Sequence, residues 1–142
     1  MRYLLLVSHG TFAPGLHSVL RMLSGDREDV LSCGLEDGMG ADQYVENLSR
    51  VVAAVTPGDE VLVLGDIIGG SPLTNALKLL ADKGLLDRTR AFGGANLPMA
   101  LTASMQLQTA SLDELAASMV SEAREAAREL VLEPAADDED DI

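Results

Sequence analysis

Two short segments constrain the fold more than anything else in the chain. YLLLV (residues 3–7) and EVLVLG (residues 60–65) are near-continuous runs of apolar side chains. A strand with one wet face alternates apolar and polar residues. A run without alternation needs apolar cover on both faces, as in parallel strands layered between helices. VLSCG (30–34) and TRAFGG (89–94) read as two further strands.

The intervening segments carry a helical period. In residues 15–24, Leu16, Val19, Leu20 and Leu23 form one stripe, and in 41–55 Tyr44, Leu48, Val51, Val52 and Val55 form another. Segments 72–82 and 98–107 open with Pro72 and Pro98, suited to a first helical turn. A last helix is predicted over 111–130, with Ser111 and Glu114 as a capping box. The order βαβαβαβα predicts an α/β fold, doubly wound, with a parallel sheet and helices on both faces. LVLEP (130–134) has the character of a fifth short strand. Residues 1–134 are thus predicted as one domain, and 135–142 as a disordered acidic tail.

Composition excludes several function classes. The formal net charge is −13; five of these charges lie in DDEDD (137–141), leaving −8 on the rest. Nucleic acid and anionic membrane surfaces repel such a chain. No apolar run approaches the ~20 residues that span a bilayer, and the start lacks the pattern of a signal peptide. The single cysteine, Cys33, cannot form an internal disulfide, so a cytoplasmic location is expected. One cysteine and two histidines are too few soft ligands for a zinc site, and no metal is expected.

In open α/β sheets, ligands bind beyond the carboxyl ends of the strands. Three strand-end loops combine glycines with polar residues: SHGTFAPG (8–15), GDIIGGSP (65–72) and GGANLP (93–98). His9 is the candidate nucleophile, since a neutral imidazole offers one ring nitrogen with a lone pair. Asp66 could accept the Nδ1 proton and leave Nε2 to react. The backbone N–H groups of Gly69, Gly70 and Ser71, with the Ser71 hydroxyl, could hold phosphate oxygens; Thr11 is a weaker candidate of the same kind. Plainer readings exist beside these: a hydrogen-bonded strand-end histidine, an aspartate capping a turn, and Ser71 as an ordinary helix N-cap before Pro72. Asn96 reads as a turn residue, and His17 as a solvated helix position. The loops match neither a P-loop nor a dinucleotide fingerprint, so no cofactor is expected. Any phosphate would come from another phosphorylated protein or a small molecule.

Taken together and in this order, SHG (8–10), DIIGGSP (66–72) and GANLPM (94–99) resemble the mannose-family IIA component of the bacterial phosphoenolpyruvate-dependent sugar phosphotransferase system. The likeness runs from residue 3 to about residue 130. It implies strand order 2-1-3-4, with a fifth, antiparallel edge strand exchanged between subunits of a homodimer. It implies that His9 takes a phosphoryl group from the phosphocarrier HPr and passes it to a IIB component during sugar uptake of the mannose, fructose or sorbose type. Asp66 would orient His9, and the Ser71 region would contact the phosphoryl group. The IIB partner would be a separate polypeptide, linking this cytoplasmic chain only indirectly to a membrane IIC/IID permease. The sequence departs from the family pattern in having Gly65 before Asp66, and Thr74 where an asparagine is frequent, with Asn75 following. A regulatory module that senses phosphorylation shares these residues. A chelatase-like enzyme of small molecules is a further alternative, with too few metal ligands here.

Overall fold

The computed structural model describes residues 1–134. Four parallel strands, β1 (Arg2–His9), β2 (Val30–Leu35), β3 (Glu60–Gly65) and β4 (Thr89–Phe92), form one sheet in the order β2-β1-β3-β4. Five α-helices connect and cover them: α1 (Phe12–Ser24), α2 (Ala41–Val51), α3 (Ser71–Asp82), α4 (Leu97–Gln106) and α5 (Leu112–Ala126). The strand order is the one the resemblance implies.

The unalternating strands are buried on both faces, as their composition requires. Leu4 and Leu6 of β1 and Leu62 and Leu64 of β3 face α1, α4 and α5. Tyr3, Leu5, Val7, Val61 and Val63 face α2 and α3. Full burial of one such side chain stabilises the fold by about 1.5–3 kcal/mol. The α5 residues Leu115, Met119 and Ala123 pack on the chain's own sheet. At the amino ends of the strands, the Arg27 guanidinium binds the Asp29 carboxylate and the Ser104 carbonyl, pinning α4 beside β2.

Several boundaries differ from the sequence prediction. Helix α1 begins at Phe12, not residue 15, because Pro14 sits in the first turn, where its missing N–H has no intrahelical partner to lose. Helix α2 ends at Val51, and Val52 and Val55 reach the core from the turn that follows. Strand β4 stops at Phe92, before Gly93 and Gly94, the latter with φ +67°. Helix α5 ends at Ala126 instead of residue 130. Residues 130–133 form no strand in this single chain. The predicted acidic tail lies outside the described residues.

The largest correction concerns His17. It was expected in solvent and is buried, 7% exposed, with Nδ1 2.7 Å from the Ser32 hydroxyl of β2. It shares the inward stripe of α1 with Ala13, Leu16 and Leu20. Those spacings of three and four residues put position 17 against the sheet.

Candidate functional site

Helix α1 returns along one face of the sheet, whereas α2 and α3 cover the other. The carboxyl ends of β1 and β3 are therefore the point where the winding reverses, the usual location of a ligand crevice. His9 is the last residue of β1, and Asp66 follows the last residue of β3.

Asp66 holds His9 from two sides. Its Oδ2 accepts the His9 backbone N–H at 2.9 Å and lies 2.8 Å from His9 Nδ1. Its other oxygen accepts the Ile67 N–H at 2.9 Å. Partial burial pushes the Asp66 pKa up. The hydrogen bonds from His9 and Ile67, and the charge of the His9 ring, outweigh this and hold the carboxyl below its ordinary range. An ionised carboxylate can only accept, so Nδ1 carries a proton and Nε2 of the neutral ring carries the lone pair. The His9 side chain is 47% exposed and so is open to a reactant. The backbone of Asp66 is fixed as well. Gly94 N–H donates to its carbonyl, and Ala95 N–H donates to that of Gly65.

Close backbone approach sets the angle of the His9 loop. Gly10, at φ +56°, donates its N–H to the Leu35 carbonyl at 2.8 Å. A β-carbon at Gly34 of β2 would overlap the Gly10 carbonyl oxygen. Ser8, fully buried, accepts the Ala13 N–H at 2.7 Å and so ties the strand end to the first turn of α1. The imidazole lies against Gly70, where a β-carbon would sit 2.9 Å from His9 Cε1. This brings the ring to the start of α3, where Gly70, not Ser71, is the N-cap, Ser71 is the first helical residue, and no side chain caps the helix. Gly69 adopts φ +85° in the same loop.

The proposed residues divide as follows. His9 and Asp66 are hydrogen-bonded and the His9 ring packs beside Gly70; Ser71 follows Gly70 as the first residue of α3, and Gly69 precedes Gly70 in the same loop. Thr11 lines a shallow depression of about 300 Å³ with Phe12, Gly15, Leu16, Val19 and Leu97, between α1 and α4. Asn96 caps α4, accepting the Met99 N–H at 3.0 Å, and its amide donates to the Ala123 carbonyl. Sequence reasoning did not single out four contributors. Ser8 and Gly34 are two. Glu36 and Asp37 are the others; they line a depression of about 350 Å³ beside His9. The serine immediately before a strand-end histidine was the legible signal for Ser8. For Gly34 there was none, because its contact is with a loop distant in sequence. Tyr44, fully buried, donates its hydroxyl to the Pro72 carbonyl at 2.8 Å and so anchors α3 to α2. Burial, with smaller contributions from Cys33 and Asp66, raises the Tyr44 pKa far above its usual value.

The family model for the EIIA-man family, described as PTS system fructose IIA component, matches residues 3–120. The chain belongs to this family. The IIA chain is 30% identical over 128 residues to the PTS system mannose-specific EIIAB component of Escherichia coli K12. That match covers 89% of this chain but 39% of the relative, so the IIA chain spans well under half of that protein. It is 27% identical over 97 residues to the PTS system fructose-specific EIIA component of Bacillus subtilis strain 168, covering 68% of this chain and 64% of the relative. The mannose/sorbose specific IIA subunit from Enterococcus faecalis superposes with a TM-score of 0.77 at 25% identity, covering 93% of this chain and 96% of that one. Among the described residues of the IIA chain, no helix is long and apolar enough to cross a membrane.

Proposed function

We propose that this chain is a phosphoryl carrier that accepts a phosphoryl group on His9 Nε2 from phospho-HPr and passes it to a IIB component. The observation that carries the reading is the 2.8 Å contact between Asp66 Oδ2 and His9 Nδ1, which leaves Nε2 as the nucleophile. In the first step the Nε2 lone pair forms a new P–N bond while the donor's P–N bond breaks and its imidazole leaves. In the second step the IIB acceptor attacks the same phosphorus, and His9 departs with its lone pair restored. Asp66 holds the Nδ1 proton throughout and offsets the positive charge of the phosphorylated ring. The N–H groups at the start of α3, with Gly69, Gly70 and the Ser71 hydroxyl, face the developing phosphate charge. Thr11, on the α1 side of the loop, remains a candidate for the same group.

This reading makes the chain a cytoplasmic member of a sugar phosphotransferase system, coupled to a membrane IIC/IID permease through its IIB partner. The test is incubation with phosphoenolpyruvate, enzyme I and HPr, followed by mapping of an acid-labile phosphate. Wild type labels on His9; His9→Ala takes up none while keeping its fold; His17→Ala labels at close to the wild-type rate. Full labelling of His9→Ala would remove the assignment.

A further inference from the structure

We infer that Asn75 is a positioning residue for phosphoryl transfer, fixing the Ser71 hydroxyl as a hydrogen-bond donor toward the phosphoryl group on His9. The inference rests on the phosphoryl-carrier reading and adds a residue to it.

Asn75 Nδ2 lies 2.8 Å from Ser71 Oγ and 3.0 Å from the Ser71 carbonyl oxygen. The carbonyl settles which end of the amide points there. It can only accept, so a carboxamide oxygen in that place would face another acceptor at 3.0 Å. The amide nitrogen therefore donates one hydrogen to each oxygen of Ser71. A hydroxyl oxygen that accepts from an amide keeps its own proton for a different partner. Ser71 is exposed and is the first residue of α3, directly after Gly70, where an added β-carbon would sit 2.9 Å from the His9 ring. A phosphoryl group on Nε2 would bring three strongly accepting oxygens to this rim. The spacing of four residues puts Asn75 one turn behind Ser71, where it can fix the hydroxyl without contacting the phosphate itself. Asn75 thus acts through Ser71.

The test is a double-mutant cycle on the rate of phosphoryl transfer from phospho-HPr, with thermal melts of each variant. Ser71→Ala is expected to slow transfer about tenfold or more, as for loss of a hydrogen bond to a charged group. Asn75→Ala is expected to slow it several-fold. Once Ser71 is alanine, Asn75→Ala should change the rate no further, although it still removes the bond to the Ser71 carbonyl. Asn75→Asp, an isosteric second variant, should lose more than Asn75→Ala, because a carboxylate draws the Ser71 proton to itself. Rate losses that multiply in the double variant, or a wild-type rate in Asn75→Ala, would overturn the positioning role while leaving His9 as the carrier. A wild-type chain that takes up no phosphate would overturn the carrier reading itself, and this inference with it.

Discussion

One oxygen of Asp66 binds both the backbone N–H and the ring Nδ1 of His9, at 2.9 and 2.8 Å. The carboxylate therefore sets both the position of the histidine and the nitrogen it presents. Three N–H groups point at this side chain, two from His9 and one from Ile67, and an ionised carboxylate can accept all three. The carboxamide of Asp66→Asn has one accepting oxygen, and its NH₂ group faces a donor. With the NH₂ group turned toward His9, Nδ1–H loses its acceptor and the imidazole its fixed tautomer; turned the other way, the NH₂ group meets the Ile67 N–H and displaces the loop that positions His9. Transfer to His9 should slow by orders of magnitude, as for loss of the orienting carboxylate in hydrolytic triads. Rapid-quench kinetics with phospho-HPr measure this directly; a wild-type rate would make Asp66 a turn cap and no more.

Gly34 tests how tightly the His9 loop is held. A β-carbon there meets the backbone oxygen of Gly10, which cannot swing aside as a flexible side chain would. Gly34→Ala should push the Gly10 turn and His9 away from Asp66. The expected outcome is a loss of about 1–3 kcal/mol in stability, together with a fall in transfer rate. Urea melts and labelling kinetics on the same preparation check both. An undisturbed rate would show that the site tolerates displacement of its β1 loop.

The elements were legible where local pattern decides them. Unalternating apolar strands and helices opened by Pro72 and Pro98 left little freedom in the architecture. His17 was misjudged although its stripe with Ala13, Leu16 and Leu20 was present. A histidine was assumed to prefer water, and the Ser32 hydroxyl that satisfies it lies on another strand. Pro14 fell within the strand-end loop 8–15, with the helix begun at residue 15, yet in a first turn a proline costs little and α1 starts at Phe12. His9, Asp66, Gly70 and Ser71 were legible together because all lie at strand ends or helix starts of one rim. Ser8 carried a signal that was passed over, its place directly before the histidine, whereas Gly34 carried none, since its close contact is with the Gly10 carbonyl of a loop distant in sequence.

The buried His17 gives a pH dependence of stability. Burial is the largest effect and lowers its pKa; Arg21 lowers it further, and Asp26 opposes them. A histidine whose folded pKa lies below its unfolded value takes up protons more readily when the chain is unfolded. Stability should therefore fall as the pH drops through about 6.5, until the folded pKa is passed. Asp66, with a depressed pKa, acts in a separate window. Its contribution is complete above the ordinary carboxylate value of 3.8 and is lost as the pH falls through the lower folded value. Melting temperatures between pH 7.5 and 5 should decline less in His17→Gln than in wild type. Parallel curves for the two proteins would contradict the assignment.

Residues 128–134 give the last prediction. Leu130, Val131 and Leu132 are 75%, 73% and 85% exposed, beyond the end of α5. Among the described residues, strand β4 pairs with β3 on one side and with no strand on its other edge. Beside that edge, Arg90, Phe92, Val120 and Arg124 line a groove of about 620 Å³. An open edge and an exposed apolar segment are both liabilities for a single chain. Exchange of the segment between two subunits would cover both at once, adding an antiparallel strand to each sheet, and two-fold exchange is a common route to dimers. Deletion after residue 135 should leave the dimer unchanged, because the removed residues are mostly charged. Deletion after residue 127 should yield monomer or aggregate. Light scattering on the two truncations distinguishes the outcomes: a stable, folded dimer without residues 128–142 would rule out the exchanged strand.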